Sequence, residues 1–374
     1  MRVTELSLED FRSYERLRLE IAPGVTAFVG ANGQGKTNLL EAIHVLARGD
    51  SPRAREDPDM VRWGTQLGRA SAIVEQREDT TRVEVLLFSP PPGERRRPRR
   101  YLINGAGKRA EDALGEIVVV AFFPEDVDLL TAAPAARRRY LDAMIGQSDR
   151  THRAETRAYA RVLEQRNALL RAAAAQRDTS DDQVPVAETA FWDSELCRLG
   201  ARISLRREQV VHELIPGFEE AAQRFAGAAG TKLEYTAQAN GTTAEEREEG
   251  LRALLYEKRQ REIWQGTTLV GPHREDLVVT GGGRPLGTFA SRGEQRSTVL
   301  ALKLAEAGWL CARIGDPPIF LLDDVLSELD PGRREALIDA LPAGAQTLLT
   351  AALPAGLPPS VVAHARIVEI PLVA

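Results

Sequence analysis

The stretch Gly30-Ala-Asn-Gly-Gln-Gly-Lys-Thr37 constrains this chain more than any other, because it meets the phosphate-loop pattern GxxxxGK[ST] at every fixed position. A strand at Val25 to Val29 precedes it, and Leu39, Leu40, Ile43 and Leu46 predict a helix after it. In that order a strand, a glycine turn and a helix start aim successive backbone N–H groups at one anion, and the helix N-terminus adds favourable potential. Lys36 is placed to reach the β and γ phosphates of ATP, and Thr37 to ligate Mg²⁺ through its hydroxyl. The expected nucleotide cradle is Gly30, Ala31, Asn32, Gly33, Gln34, Gly35, Lys36 and Thr37.

The rest of the chain predicts a mixed α/β protein interrupted by helices. Alternation at Val3 to Leu8 and at Leu17, Leu19 and Ile21 predicts a strand pair joined by Phe11 to Tyr14, with more strands at Ala72 to Glu75, Arg82 to Phe88 and Ile117 to Phe122. Between Ala135 and Phe225 two helical stripes follow, one through Tyr159, Val162, Leu163, Leu169 and Leu170, the other through Trp192, Leu196, Leu199, Ile203, Val210 and Leu214. Sheet character returns from Leu269, at Leu277 to Thr280, Ile319 to Leu322, Thr347 to Thr350 and Ile367 to Leu372. The expected layout is a head lobe built from 1–125 and 269–374, with a helical arm at 126–268.

Charge narrows the partner classes. With 49 Lys and Arg against 54 Asp and Glu, the net charge of −5 gives no overall attraction to a polyanion, so a nucleic acid needs a local patch. Arginine clusters at Arg95, Arg96, Arg97, Arg99 and Arg100 and at Arg137, Arg138 and Arg139 are the candidates, against the plainer readings of a solvated face and, for Arg137 to Arg139, of a salt-bridged helix start. No apolar run nears the roughly 18 residues of a membrane span and no signal peptide opens the chain, so the expected compartment is the cytoplasm. Cys197 and Cys311 lack metal-ligand spacing and are expected to be packing residues.

Two later motifs extend the phosphate-loop chemistry. Ile319-Phe-Leu-Leu-Asp-Asp324 is an apolar strand ending in acids, the form of a Walker B element. There Asp323 would hold Mg²⁺, and Asp324 would stand where a glutamate often orients the attacking water. Ser291-Arg-Gly-Glu-Gln295 resembles the signature motif of ABC-type ATPases, although Ser-x-x-Glu is equally a helix capping box. Ser327 to Asp330 then follows Walker B as a D-loop does, and Asp330 before Pro331 is equally a good helix start. In ABC-type ATPases the signature serine completes the site of a second subunit, which implies here that Ser291 and Gly293 serve a partner copy and that ATP joins two heads.

The residues resemble the RecF family of ABC/SMC-type ATPases across nearly the whole chain. The resemblance rests on Asp10 to Tyr14, Gly30 to Ile43, Phe123 to Asp126, Arg138 to Asp142, Gln165 to Asn167, Gly271 to Asp276, Ser291 to Gln295 and Leu322 to Asp324. It implies a P-loop ATPase head with an inserted helical arm, an ATP-dependent homodimer and slow, DNA-stimulated ATP hydrolysis. It further implies binding to double-stranded DNA near single-strand/double-strand junctions, and cooperation with RecR and RecO in loading RecA. Arg12 is then expected near the nucleotide, as the matching arginine is in SMC-type heads. Two departures stand out: no Q-loop glutamine follows the Ile117 to Phe122 strand, and Ala351-Ala352 occupies the place of a switch histidine. His273 suits either a structural role at its Gly-Pro turn or a phosphate contact. A transporter ATPase subunit and a P-loop phosphotransferase are the competing classes; the missing glutamine and histidine and the long insertion weigh against the first, the signature motif against the second.

Overall fold

A computed structural model describes residues 1–91, 93, 98–175, 186–226 and 231–371. The chain divides into two compact units: Met1–Leu129, Pro216–Ala228 and Ala290–Ala374 form the first, and Leu130–Ile215 with Ala229–Phe289 the second.

The first unit holds two sheets. Strands β1 (Arg2–Phe11), β2 (Tyr14–Glu20), β4 (Leu67–Gln76), β5 (Asp79–Phe88), β6 (Arg100–Ile103) and β7 (Ala106–Lys108) pair antiparallel in the order β2-β1-β4-β5-β6-β7. Strands β3 (Val25–Val29), β8 (Val119–Phe122), β12 (Ile319–Leu322), β13 (Thr347–Ala351) and β14 (Arg366–Glu369) form a parallel sheet in the order β14-β3-β13-β12-β8. Every residue of β8, β12 and β13 is buried, as expected for parallel strands covered on both faces.

Helix α1 (Lys36–Arg48) packs against strands of both sheets, and one continuous core joins them through Leu6, Leu8, Phe28, Leu39, Ile43 and Leu321. This position explains why Ala42, Val45 and Ala47 are buried along with the predicted stripe: a helix covered on two sides has little solvent face.

The second unit is mainly helical: α2 (Pro134–Ser148), α3 (Arg150–Ala175), α4 (Val186–Ala226) as far as Ile215, and α5 (Ala244–Gln265). Its core gathers Tyr159, Val162, Leu196, Leu199, Ile203 and Leu251, so most of both predicted stripes faces inward.

The expected arm boundaries at 126–268 need correction. Strand β10 (Asp276–Gly281) pairs with β9 (Lys232–Thr236) and β11 (Arg284–Pro285) in an antiparallel sheet of the second unit, with Leu277 opposite Tyr235 and Val279 opposite Leu233. All four of those side chains are buried, and this cross-strand packing, not sequence order, assigns 269–289 to the second unit. Conversely Pro216–Ala228, at the end of α4, groups with the first unit. Among the described residues no helix is long and apolar enough to cross a membrane.

Candidate phosphate-binding site

The glycine loop leaves β3 at the carboxyl edge of the parallel sheet, where open α/β sheets place ligands. Gly35 ends it with φ +94°, and a Cβ there would lie 2.8 Å from Ser13 Oγ and 3.0 Å from Tyr14 Oη, so glycine is required twice over. The β1–β2 turn closes on the loop: Tyr14 Oη donates to the Gly35 carbonyl at 3.2 Å, and Asn38 Nδ2 donates to Ser13 Oγ at 2.9 Å. The buried Lys36 ammonium donates to the carbonyls of Gly30 at 2.6 Å and Ala31 at 2.9 Å, which keeps the cation inside the loop's own curve.

The Walker B acids meet this loop. Thr37 Oγ1 donates to Asp323 Oδ1 at 2.9 Å, joining α1 to the end of β12. Burial pushes the Asp323 carboxyl above the ordinary carboxylate range, opposed by the Thr350 and Thr37 hydroxyls that stabilise its charge. Asp324 sits in the left-handed region at φ 52°, and its N–H donates to Thr350 Oγ1 at 2.9 Å. Carboxylate and hydroxyl oxygens are the donor set that suits Mg²⁺ beside a triphosphate.

A cleft of about 330 Å³ brings together Asn32, Gly33, Gly35, Lys36 and Thr37 with Asp323 and Asp324. Arg53, Pro124 and Thr350 also line it; Pro124 falls in the Phe123 to Asp126 stretch of the resemblance, while Arg53 and Thr350 were not singled out from the sequence. Arg53 reaches Asn38 Oδ1 at 3.3 Å and stands 3.9 Å from Glu125. A signal for it existed only in its nearness to α1: Ser51, two residues before it, accepts the N–H groups of Arg53 and Ala54 and donates to Glu41.

Other expected residues lie elsewhere. Arg12 is held by Glu41, a fully buried carboxylate of α1, through Nε at 2.8 Å and Nη2 at 2.5 Å, and does not line the cleft. Ser291 and Gly293 are exposed and also lie off the cleft. Ser291 caps α6 (Arg292–Ile314) with the reciprocal Glu294 bonds of a capping box, so the plainer reading of that motif is present in the structure.

The arginine clusters divide. Arg95, Arg96 and Arg97 lie outside the described residues. Arg99 pairs with Asp57 through two bonds and also donates to the Gly49 carbonyl, which commits it internally. Arg100 is exposed, 5.9 Å from the centre of the Phe88 ring. Arg137 forms a bidentate pair with Asp276 at 2.9 and 2.7 Å, and Arg138 donates to the Glu275 carbonyl at 2.6 Å. Arg99, Arg137 and Arg138 are therefore each tied to an internal partner.

Motif residues of the second unit form buried polar clusters of their own. Arg207 grips Asp142 at 2.8 and 2.7 Å, and His152 approaches the same carboxylate at 2.9 Å. Arg166 joins Asp193, Glu262 and Thr268, while Asn167 Oδ1 accepts from the N–H and the hydroxyl of Thr268. His273 bonds Tyr159 Oη at 2.7 Å and the Thr268 carbonyl at 3.1 Å; burial lowers it to about 4, so it is a neutral structural residue. Cys197 is buried and its thiol is pushed up to about 12, in keeping with packing.

Comparison with known proteins places this geometry. Residues 2–352 match the family described as the RecF/RecN/SMC N terminal domain. The DNA replication and repair protein RecF of Streptomyces avermitilis is 41% identical over 357 residues, covering 94% of each chain. That of Chloroflexus aurantiacus is also 41% identical, covering 94% of this chain and 93% of its own. A solved structure of the recombination mediator protein RecF with ATPrS, from the RecFOR pathway, superposes with a TM-score of 0.84 at 27% identity, covering 95% of this chain and 94% of that one.

Proposed function

The chain belongs to the RecF family of DNA replication and repair proteins and has its ABC/SMC-type ATPase fold, and on that premise we propose that it is an ATP-gated DNA clamp of recombinational gap repair. The observation that carries this reading is the division of the ATP machinery. The phosphate loop and both Walker B acids share one cleft, while Ser291 and Gly293 stand outside it on an exposed helix start.

In this reading the loop amides and Lys36 bind the triphosphate, and the exposed Ser291 to Gly293 turn of a second copy closes over the γ phosphate. Thr37 and Asp323 would hold Mg²⁺, which when bound would supply charge neutralisation for the triphosphate. Arg53 adds a cation at the cleft wall. Asp324 orients the attacking water, and its side chain, one methylene shorter than glutamate, makes hydrolysis a slow reset. ATP thus acts as interface glue for two heads. The paired heads bind double-stranded DNA near single-strand junctions, and they cooperate with RecR and RecO to load RecA.

The test is duplex affinity by fluorescence anisotropy, with and without Mg-ATP, across a salt series. Affinity should rise with ATP, fall steeply with ionic strength, and lose its ATP dependence in Lys36→Arg. Wild-type affinity that ignores both ATP and salt would reject the clamp.

A further inference from the structure

Thr350 is buried at the carboxyl end of β13, the strand between β3, which carries the phosphate loop, and β12, which carries Asp323. Its hydroxyl has one hydrogen, and the geometry dictates where that hydrogen goes. The Asp324 N–H can only donate, so Thr350 Oγ1 accepts from it at 2.9 Å. That leaves the single hydroxyl hydrogen for Asp323 Oδ1, 2.8 Å away. Thr37 donates to the same oxygen, so Oδ1 carries two hydroxyl donors and Oδ2 is the Asp323 oxygen without a hydroxyl tie.

The second bond matters as much. Asp324 holds φ 52°, a conformation that L residues with side chains rarely adopt, and the Thr350 hydroxyl grips its N–H. One side chain from a third strand therefore sets both Walker B acids: the side chain of the first and the backbone of the second.

We propose that Thr350 is the positioning residue of the ATP site, orienting Asp323 for the divalent cation and holding Asp324 toward the attacking water. This rests on the reading of the cleft as an ATP site. It accounts for a chain whose next residues, Ala351 and Ala352, have no side chain able to do that work. A hydroxyl held between a carboxylate and an N–H orients both but brings no charge to the γ phosphate, which fits slow turnover.

The experiment compares wild type, Thr350→Val and Thr350→Ser in the full chain, reading binding of a fluorescent ATP analogue with and without Mg²⁺, steady-state kcat and KM, and thermal melting. Thr350→Val keeps the shape and loses both bonds. Its metal-free nucleotide affinity should match wild type, which also shows that the cleft is folded. The gain in affinity on adding Mg²⁺ should fall about tenfold, KM for Mg-ATP should rise by a similar factor because slow turnover makes KM follow the dissociation constant, and kcat should fall as well. Thr350→Ser should restore all three. An unaltered Mg²⁺ effect and kcat in Thr350→Val, or a serine variant as impaired as valine, overturns the assignment while leaving the ATP site intact. Wild type that binds no ATP analogue overturns the assignment and the function together.

Discussion

At the scale of single residues, long side chains of one type take opposite roles according to the acid they meet. Arg12 is the sharpest case: its guanidinium neutralises Glu41, which is fully buried in α1. Truncating one partner of a buried pair strands the other, at a cost of about 3 kcal/mol. Arg12→Ala should therefore lower stability in urea by about that amount. Arg12→Met with Glu41→Leu should recover much of the loss, since the stranded charge goes too. A fully stable Arg12→Ala that cannot bind ATP would show instead that Arg12 serves the nucleotide.

The arginine clusters were legible as clusters and illegible as roles. Arg99 finds Asp57 across 42 positions and Arg137 finds Asp276 across 139, and local sequence carries no record of such pairings. The phosphate loop is the opposite case, because its glycines and lysine encode their own local geometry.

At the scale of elements, the site is an edge where three parallel strands deliver three different groups: the loop from β3, Thr350 from β13 and Asp323 from β12. The first and last were visible as motifs. Thr350 was not, because a threonine at the end of an apolar strand has no signature until the strand order puts it beside Asp323. Strand β9 escaped for a related reason: five residues preceding a polar loop read as a strand only once β10 lies beside them.

The contact between the β1–β2 turn and the loop gives a prediction at this scale. Gly35→Ala forces a Cβ against Ser13 and Tyr14 from a left-handed backbone, at about 1–2 kcal/mol of strain. The loop should shift away from its anion-binding curve, and titration with a fluorescent ATP analogue should show affinity lowered by about tenfold or more. Unchanged affinity would mean that the β1–β2 turn does not brace the loop.

For the whole molecule, buried ion pairs run through both compact units: Arg12–Glu41 and Arg48–Glu306 in the first, Arg166–Glu262 and Arg207–Asp142 in the second. Burial raises the Asp142 carboxyl, but Arg207 and His152 outweigh it and hold the group down to about 2, against 3.8 for a free side chain. A carboxylate depressed in the folded state adds stability above its unfolded value and loses it as pH falls through the folded one. The pair should therefore contribute about 2 kcal/mol above pH 4, fading toward pH 2. Asp142→Asn should flatten the acid limb of stability against pH, and an unchanged limb would refute the assignment. The motifs at Arg138 to Asp142 and Gly271 to Asp276 were legible as resemblance alone; their work, holding helices and β10 together, needed the fold to be read.

The central claim is that one chain holds only part of each ATP site and that a second copy supplies Ser291. Sedimentation of wild type and Ser291→Arg with Mg-ATP tests it most directly, with nucleotide binding measured alongside. The account predicts that wild type shifts from monomer to dimer on ATP, while Ser291→Arg binds ATP with ordinary affinity and remains a monomer. A Ser291→Arg protein that pairs as fully as wild type would contradict it.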